Sequence, residues 1–269
     1  MADHPGANTR FLEGVDAWIG VLGRLRDVVR QHVLAAQLAE LLALRGPRVA
    51  RVLDIGCGQG TQALLLARAG HEVTGLDISA DLLTLFESEL SAESADLRSR
   101  VRFVQGPGEA VAELAPGPFD LILCHGVLPY FDDVRTLLSA MSTVAAHRAT
   151  LSLLVRNGLA PAMRPGLRGQ WADAVGSFGS GDYTNRLGLA ARAHTAEDFD
   201  QILHGDGWQP FGWYGVRVLT NHREDDELPP PDELALLLAA EREAGRRDPY
   251  RQVAALLHFV YARDSDTRD

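Results

Sequence analysis

The chain has 269 residues, of which 46% are hydrophobic and 23% charged, with a formal net charge of −10. This is the balance of an ordinary globular protein; it excludes a low-complexity polymer and argues against a generic polyanion binder. Two cysteines, Cys57 and Cys124, exclude a disulfide framework or a cysteine-rich zinc site, and no metal is expected.

The opening MADHPGANTR lacks the apolar stretch of a secretory signal. No apolar run approaches the ~20 residues that span a bilayer, so a cytoplasmic protein without membrane association is expected. The stretch from Phe11 to Leu44 keeps a rough 3.6-residue apolar period, broken into pieces by Gly14, Gly20 and Gly23 and ended by Gly46-Pro47. A first strand is predicted at Arg51–Ile55, a helix at Thr61–Ala69 closed by Gly70, and a second strand at Glu72–Leu76 leading into Asp77. Ser79 is placed to cap a helix over Ala80–Leu90. Strands follow at Val101–Gln105 and Phe119–Cys124, the latter a continuous apolar run of the kind buried on both faces. A helix over Val134–Ala146 and a strand at Thr150–Val155 complete the alternation.

Strand and helix in alternation imply parallel pairing through right-handed crossovers. The rhythm breaks between 157 and 194, a segment rich in Gly, Pro and Arg and too long for an ordinary connection; it reads as a substrate-side insertion. Thr195 is placed to cap a helix, with Asp198 in the capping-box position. Strands at Trp213–Leu219 and Leu257–Ala262 bring the total to seven, and Asp264–Asp269 is expected to fray. The whole chain is expected to form one domain: helices over 11–45, a ligand-binding core over 50–156, the insertion, and a C-terminal part of the sheet over 195–263. The fold class is α/β, a mostly parallel, Rossmann-like sheet with an N-terminal helical extension.

The turn after the first strand, in Val52–Gly60, reads VLDIGCGQG. Its glycines are 56, 58 and 60, a G-x-G-x-G spacing with Thr61 next; a dinucleotide fingerprint is G-x-G-x-x-G, and a P-loop ends in G-K-[ST]. Asp54 lies two residues before the first glycine, where a carboxylate repels a pyrophosphate and suits a ligand bearing an ammonium group. Asp77, at the end of the second strand, is placed to accept hydrogen bonds from a ribose diol. Gly108 and Glu109 follow the third strand, near where an adenine would lie. A nucleoside with an ammonium group and no phosphate describes S-adenosylmethionine.

The ordered series LDIGCGQG, GLDIS and a post-strand GE resembles the class I S-adenosylmethionine-dependent methyltransferases. Further stretches resemble one family among them, the tRNA 5-carboxymethoxyuridine methyltransferases: GRLR (Gly23–Arg26), DLILCHGVL (Asp120–Leu128), LSLLVRN (Leu151–Asn157), GWQPFGWYGVRVLTNH (Gly207–His222), DPY (Asp248–Tyr250) and LLHFVYAR (Leu256–Arg263). The resemblance implies that Arg26 reaches the cofactor's carboxylate. It also implies that Gly56, Asp77, Gly108, Glu109 and His125 line the cofactor pocket, and that Arg217 pairs with the carboxylate of the acceptor. Asp54, Cys57, Gly58, Gly60 and Ile78 belong to the same two loops and are expected to contribute to the cofactor site.

A carboxylate acceptor, with a pKa near ~4, is already ionised at neutral pH and needs no general base, so His125 is a secondary catalytic candidate beside Arg217. Arg156 and Asn157 leave a strand at the edge where ligands bind in open α/β sheets, and are candidates for acceptor contact. Trp171, Phe178, Tyr183, Trp208 and Trp213 are candidates to stack a base, with Trp208 and Trp213 better read as core.

All 26 basic residues are arginine. The related family carries a lysine run in its insertion, whereas this chain has GSFGSGDYTNR (Gly176–Arg186). Arg148, Arg164, Arg168, Arg186 and Arg192 can stand in for those lysines against a tRNA backbone if they face one way. The alternative acceptor is a small molecule offering a carboxyl or hydroxyl group. Sequence leaves the oligomeric state open.

Overall fold

A computed structural model describes residues 8–46, 48–179, 181–223 and 227–263. Its strands are β1 (Arg51–Ile55), β2 (Glu72–Asp77), β3 (Val101–Gln105), β4 (Phe119–His125), β5 (Ala145–Arg156), β6 (Asp182–Thr184), β7 (Ala190–Arg192), β8 (Trp208–Val216) and β9 (Leu256–Arg263). The helices up to the middle of the chain are α1 (Val15–Ile19), α2 (Leu25–Leu44), α3 (Thr61–Arg68), α4 (Ala80–Ser91), α5 (Ala95–Ser99) and α6 (Val111–Leu114). The remainder are α7 (Arg135–Thr143), α8 (Met163–Leu167), α9 (Trp171–Gly176), α10 (Glu197–Gly205) and α11 (Pro231–Ala244).

Seven strands form one sheet in the order β3-β2-β1-β4-β5-β9-β8. The first five pair in parallel, and β9 runs antiparallel between β5 and β8. Alternate residues divide two cores. Val52, Leu121, Leu123, Leu154 and Val260 face α2 and α3, packed with Val29, Val33 and Leu38. Leu53, Ile55, Ile122, Leu153 and Phe259 face α7 and α10, packed with Leu137, Met141 and Phe199. Chain order reverses between β1 and β4, so the loops after these two strands open a crevice at the head of the sheet, where open α/β sheets bind their ligands.

Several boundaries differ from the sequence expectation. The sixth strand of the large sheet was expected at Trp213–Leu219, but β8 runs from Trp208 to Val216. Trp208 is fully buried, with its indole N–H on Ser142 Oγ at 2.9 Å, which brings the start forward. At the other end Arg217 takes φ 59°, a left-handed conformation that ends the extended run. α10 begins at Glu197 with Ala196 at its N-cap; only half of the expected capping box forms, Asp198 Oδ2 accepting the Thr195 N–H at 2.7 Å. α7 is shorter than expected and β5 starts at Ala145. The insertion holds α8, α9 and a two-stranded sheet of β6 and β7, and α11, between β8 and β9, was not anticipated. The proposed helix stop at Pro47 and the fraying at 264–269 lie outside the described residues.

No helix among the described residues is long and apolar enough to cross a membrane. Among those residues no group of three or more His, Cys, Asp or Glu is placed to hold a metal ion. Cys57 and Cys124 are free and buried.

Candidate active site

The site begins where β1 runs out of apolar residues. Gly56 turns with φ 70° and donates its N–H to Leu76 O at 2.7 Å. A Cβ here would collide with the Val127 side chain from the loop after β4, so only glycine lets the two strand ends meet. Gly58 donates its N–H to Asp77 Oδ2 at 2.7 Å, and Asp77 Oδ1 accepts the Ser79 N–H at 2.8 Å. One carboxylate therefore ties the glycine loop to the start of α4.

Above these loops lies a cavity of about 570 Å³. Asp54, Asp77 and Glu109 line it, together with Gly56, Cys57, Gly58, Ile78 and Gly108. Burial, reinforced by Asp77, pushes the Asp54 carboxyl up to about 7, so its charge changes with pH near neutrality. Burial also raises Asp77, against the lowering effect of the backbone N–H groups of Ser79, Gly58 and Ile78. Burial, with Asp54 and Asp77, raises the Cys57 thiol well above its ordinary range, which leaves it an inert packing group. Glu109 Oε1 accepts the Asn8 N–H at 3.0 Å.

The same cavity is lined by arginines. Arg26 and Arg30 come from α2, one turn apart. Arg156 ends β5, Arg164 and Arg168 come from α8 and its end, Arg186 from the β6–β7 turn, and Arg217 from the end of β8. Most have protein partners. Arg30 pairs with Asp27 at 2.8 Å and lies 4.7 Å from the Trp18 ring centre. Arg164 donates to Asn221 O at 2.5 Å, and Arg156 lies 5.7 Å from the Tyr183 ring centre.

Arg217 differs. It is 6% exposed, and its Nε is buried with no hydrogen-bond partner. Burial, then Arg26, Arg156, Arg186 and Arg30, push its guanidinium well below the ordinary arginine range. Among the described residues it has no acidic partner, so the acidic neighbour that could have explained an arginine on an apolar strand is missing.

His125, at the end of β4, lines the cavity with its Nε2 2.8 Å from Ser152 Oγ. Burial, His258 and Arg30 hold it well below the usual histidine range, so the ring is neutral.

Two expectations change. Asn157 is absent from the cavity wall; its Nδ2 donates to Gln252 O at 2.9 Å and Ala254 O at 2.8 Å, and its Oδ1 accepts the Leu159 N–H at 2.7 Å. It braces the chain after β5, and the acceptor contact expected of it is withdrawn. Gly60 is also off the wall. It sits before α3 with φ 81°, and a Cβ there would enter the Phe86 ring, so its place in the cofactor set is withdrawn too.

Of the five arginines considered as a substitute for lysines, Arg164, Arg168 and Arg186 reach the cavity. Arg148 offers its carbonyl to Arg45 at 2.8 Å, and Arg192 lies 3.9 Å from Asp182; neither lines the cavity. Of the aromatics, Tyr183 lines it, Trp171 and Phe178 are exposed on the insertion, Trp208 is core, and Trp213 lies under Arg251, 3.9 Å away. Sequence reading missed Arg30, Gln31, Gln62 and Trp18. The i, i+4 spacing of Arg26 and Arg30 on one helix face was the available signal.

A family profile described as methyltransferase domain matches residues 53–153. Among solved structures, magnesium protoporphyrin IX methyltransferase of Synechocystis PCC 6803, with bound SAH, aligns at a TM-score of 0.61 and 19% identity, covering 96% of this chain and 97% of that one. Sheet order, glycine loop and these matches define a class I, S-adenosylmethionine-dependent methyltransferase.

Within that class the chain is similar over nearly its whole length to the tRNA 5-carboxymethoxyuridine methyltransferase of Escherichia coli K12, with 28% identity over 252 residues and 93% of each chain covered. It is also similar to the ubiquinone biosynthesis O-methyltransferase of Xanthomonas campestris pv. campestris strain B100, at 29% over 195 residues, covering 71% of this chain and 78% of that one.

Proposed function

We propose that the protein methylates the carboxylate of 5-carboxymethoxyuridine at the wobble position of tRNA. Arg217 carries this reading. A buried guanidinium surrounded by other arginines and lacking an acid is costly by itself, and a bound carboxylate relieves that cost. Arginine presents a planar fork suited to a carboxylate.

The residues present fit the cofactor. Gly56 keeps the loop narrow, Asp77 retains lone pairs toward a ribose diol, and Asp54 offers a carboxyl that an ammonium group would ionise. Arg26 suits the cofactor's carboxylate, while Ile78, Gly108 and Glu109 suit the face of a nucleobase. When bound, S-adenosylmethionine supplies an electrophilic methyl group on a sulfonium.

In this reading Arg217 donates to one acceptor oxygen and leaves the other free to attack. The acceptor is already ionised, so no side chain has to remove a proton, and the neutral His125 is not required as a base. Alignment and exclusion of water supply the rate. Arg156 and Tyr183 flank the acceptor, and Arg164, Arg168 and Arg186 face the phosphates of its RNA.

The net charge of −10 and the absence of Arg148 and Arg192 from the cavity wall favour a second reading, methylation of a small carboxylate or hydroxyl acceptor. Incubation with tritiated cofactor and separated RNA and metabolite fractions decides between them: label in tRNA is expected, and label confined to metabolites overturns the tRNA assignment. Arg217→Ala is expected to keep cofactor affinity and lose transfer; loss of cofactor affinity with transfer retained contradicts the acceptor role.

A further inference from the structure

The insertion sends the tip of a hairpin to the cavity. β6 and β7 pair over three residues each, Asp182–Thr184 with Ala190–Arg192, and a two-stranded ribbon of that size is marginal by itself. The tip must therefore be held from outside. Residues 183–187 line the cavity, so whatever holds the tip also sets this wall.

Asn185 holds it from the hairpin side. Its backbone N–H donates to Leu189 O at 2.9 Å, which closes the turn. Its side-chain Oδ1 accepts the N–H groups of Leu187 at 2.9 Å and Leu189 at 3.1 Å. With the oxygen committed to two donors, the amide nitrogen has to face the other way. There Nδ2 donates to Tyr130 Oη at 3.0 Å. Exchanging the two ends of the amide would set its NH₂ against two N–H groups, so its orientation is fixed.

Tyr130 is itself held in place. It belongs to the turn after β4, where its N–H donates to Val127 O at 3.1 Å and its neighbours Leu128 and Pro129 are buried. Its carbonyl accepts Asn8 Nδ2 at 2.6 Å, and the Phe11 ring centre lies 5.4 Å from its own. Leu189 packs on the bare backbone of Gly14, where an added Cβ would lie 2.8 Å from its Cδ1.

The tip carries Tyr183 and Arg186, and both act on the surroundings of Arg217. Burial raises the Tyr183 phenol, while Arg156 and Arg217 oppose the rise. After burial, Arg26 and Arg156, it is Arg186 that lowers the Arg217 guanidinium.

We propose that Asn185 and Tyr130 are positioning residues that clamp the tip of the β6–β7 hairpin, so that Tyr183 and Arg186 stand beside Arg217 and complete the acceptor side of the cavity. The positioning rests on the acceptor role proposed for Arg217; the clamp itself does not. Asn185 lies in the stretch where this chain departs from the lysine run of the family it resembles.

The test uses the full chain and three measurements: transfer to tRNA carrying 5-carboxymethoxyuridine, S-adenosylhomocysteine affinity by calorimetry, and amide exchange by NMR. Asn185→Ala should raise the acceptor KM about tenfold, as for one or two lost hydrogen bonds, with kcat and S-adenosylhomocysteine affinity held within about twofold. Tyr130→Phe, which removes the hydroxyl and keeps the ring, should move the acceptor KM in the same direction. The double variant should be no worse than Asn185→Ala, because the two changes break one interaction. Without any ligand, the Leu187 and Leu189 amides should exchange faster in Tyr130→Phe than in the wild type. An unchanged acceptor KM in Asn185→Ala, or an equal loss of S-adenosylhomocysteine affinity, overturns the positioning. Unchanged exchange in Tyr130→Phe overturns the clamp. A wild type that leaves this tRNA unlabelled overturns the acceptor reading, and the exchange rates then decide the clamp alone.

Discussion

Glu241 Oε2 accepts the N–H of Val218, the residue after Arg217, at 2.7 Å. The other oxygen of the same carboxylate accepts from Leu219 N–H at 3.1 Å and from Thr220 N–H at 2.8 Å and Oγ at 2.5 Å. Glu241 is fully buried on α11, so a helix unseen in the sequence pattern pins the turn that carries the candidate acceptor arginine. Glu241→Ala leaves three backbone N–H groups without this partner, and a loss of about 3–4 kcal/mol is expected. In denaturant titration this appears as a lower midpoint, and in steady-state kinetics the acceptor KM should rise more than the cofactor KM. A cofactor KM that rises equally would show a general loss of structure and not a misplaced Arg217.

Asp77 joins two loops by hydrogen bonds to Gly58 and Ser79 and also lines the cavity. Asp77→Ala is expected to weaken cofactor binding by about 2–4 kcal/mol, the worth of one or two hydrogen bonds to a charged group. Isothermal calorimetry measures this directly, and an unchanged affinity would remove Asp77 from the ribose.

Asp54 gives a pH dependence of definite sign. Its carboxyl rises from 3.8 to about 7 on folding, so folding favours the protonated form. The stability this contributes is complete below pH ~4 and is lost as pH rises through about 7, a span on the order of 4 kcal/mol. In the absence of cofactor, the Tm of the wild type should therefore fall relative to Asp54→Asn between pH 5 and 8. An ammonium ligand reverses the preference. Cofactor affinity should increase with pH across this window with release of a proton, measured by calorimetry in buffers of different ionisation heat. A proton release that persists in Asp54→Asn assigns it to another group.

Gly60 carries packing and conformation together. Its φ of 81° disfavours any side chain, and an added methyl enters the Phe86 ring. Gly60→Ala should lower stability by about 2–4 kcal/mol through left-handed strain and overpacking, read as a reduced Tm. Because Gly60 does not line the cavity, cofactor affinity of the folded fraction should change little.

The segment 51–77 was readable because its information is local. An apolar run enters a loop of alternating glycines, a helix follows with the period of its buried face, and a second strand ends in an acid. Arg217 was readable as a residue but not as an environment. Its burial and its lack of an acid arise from β8, β5, α2 and the β6–β7 turn converging on it, and the φ that ends β8 there has no signature in VRVL. Asn157 misled for the same reason: at a strand end, a residue aimed into the crevice and one bracing the following chain look alike. Trp208 moved the start of β8 forward to the residue after Gly207 because its indole is buried against Ser142, a partner that the local sequence does not show.

Alternation of hydrophobic runs with turn residues determines the order of elements, and handedness leaves few ways to wind them. The class of fold and the chemistry of the glycine loop are therefore properties of the chain itself. The bond from Gln37 to His258, the seat of Arg217 and the support from Glu241 join residues 21 to 221 positions apart. Only after the sheet closes and α2 and α11 lie on it do these side chains meet. Hydrogen-bond direction and desolvation act between neighbours in space, so the tertiary structure decided which polar groups were paired and which were left facing a ligand.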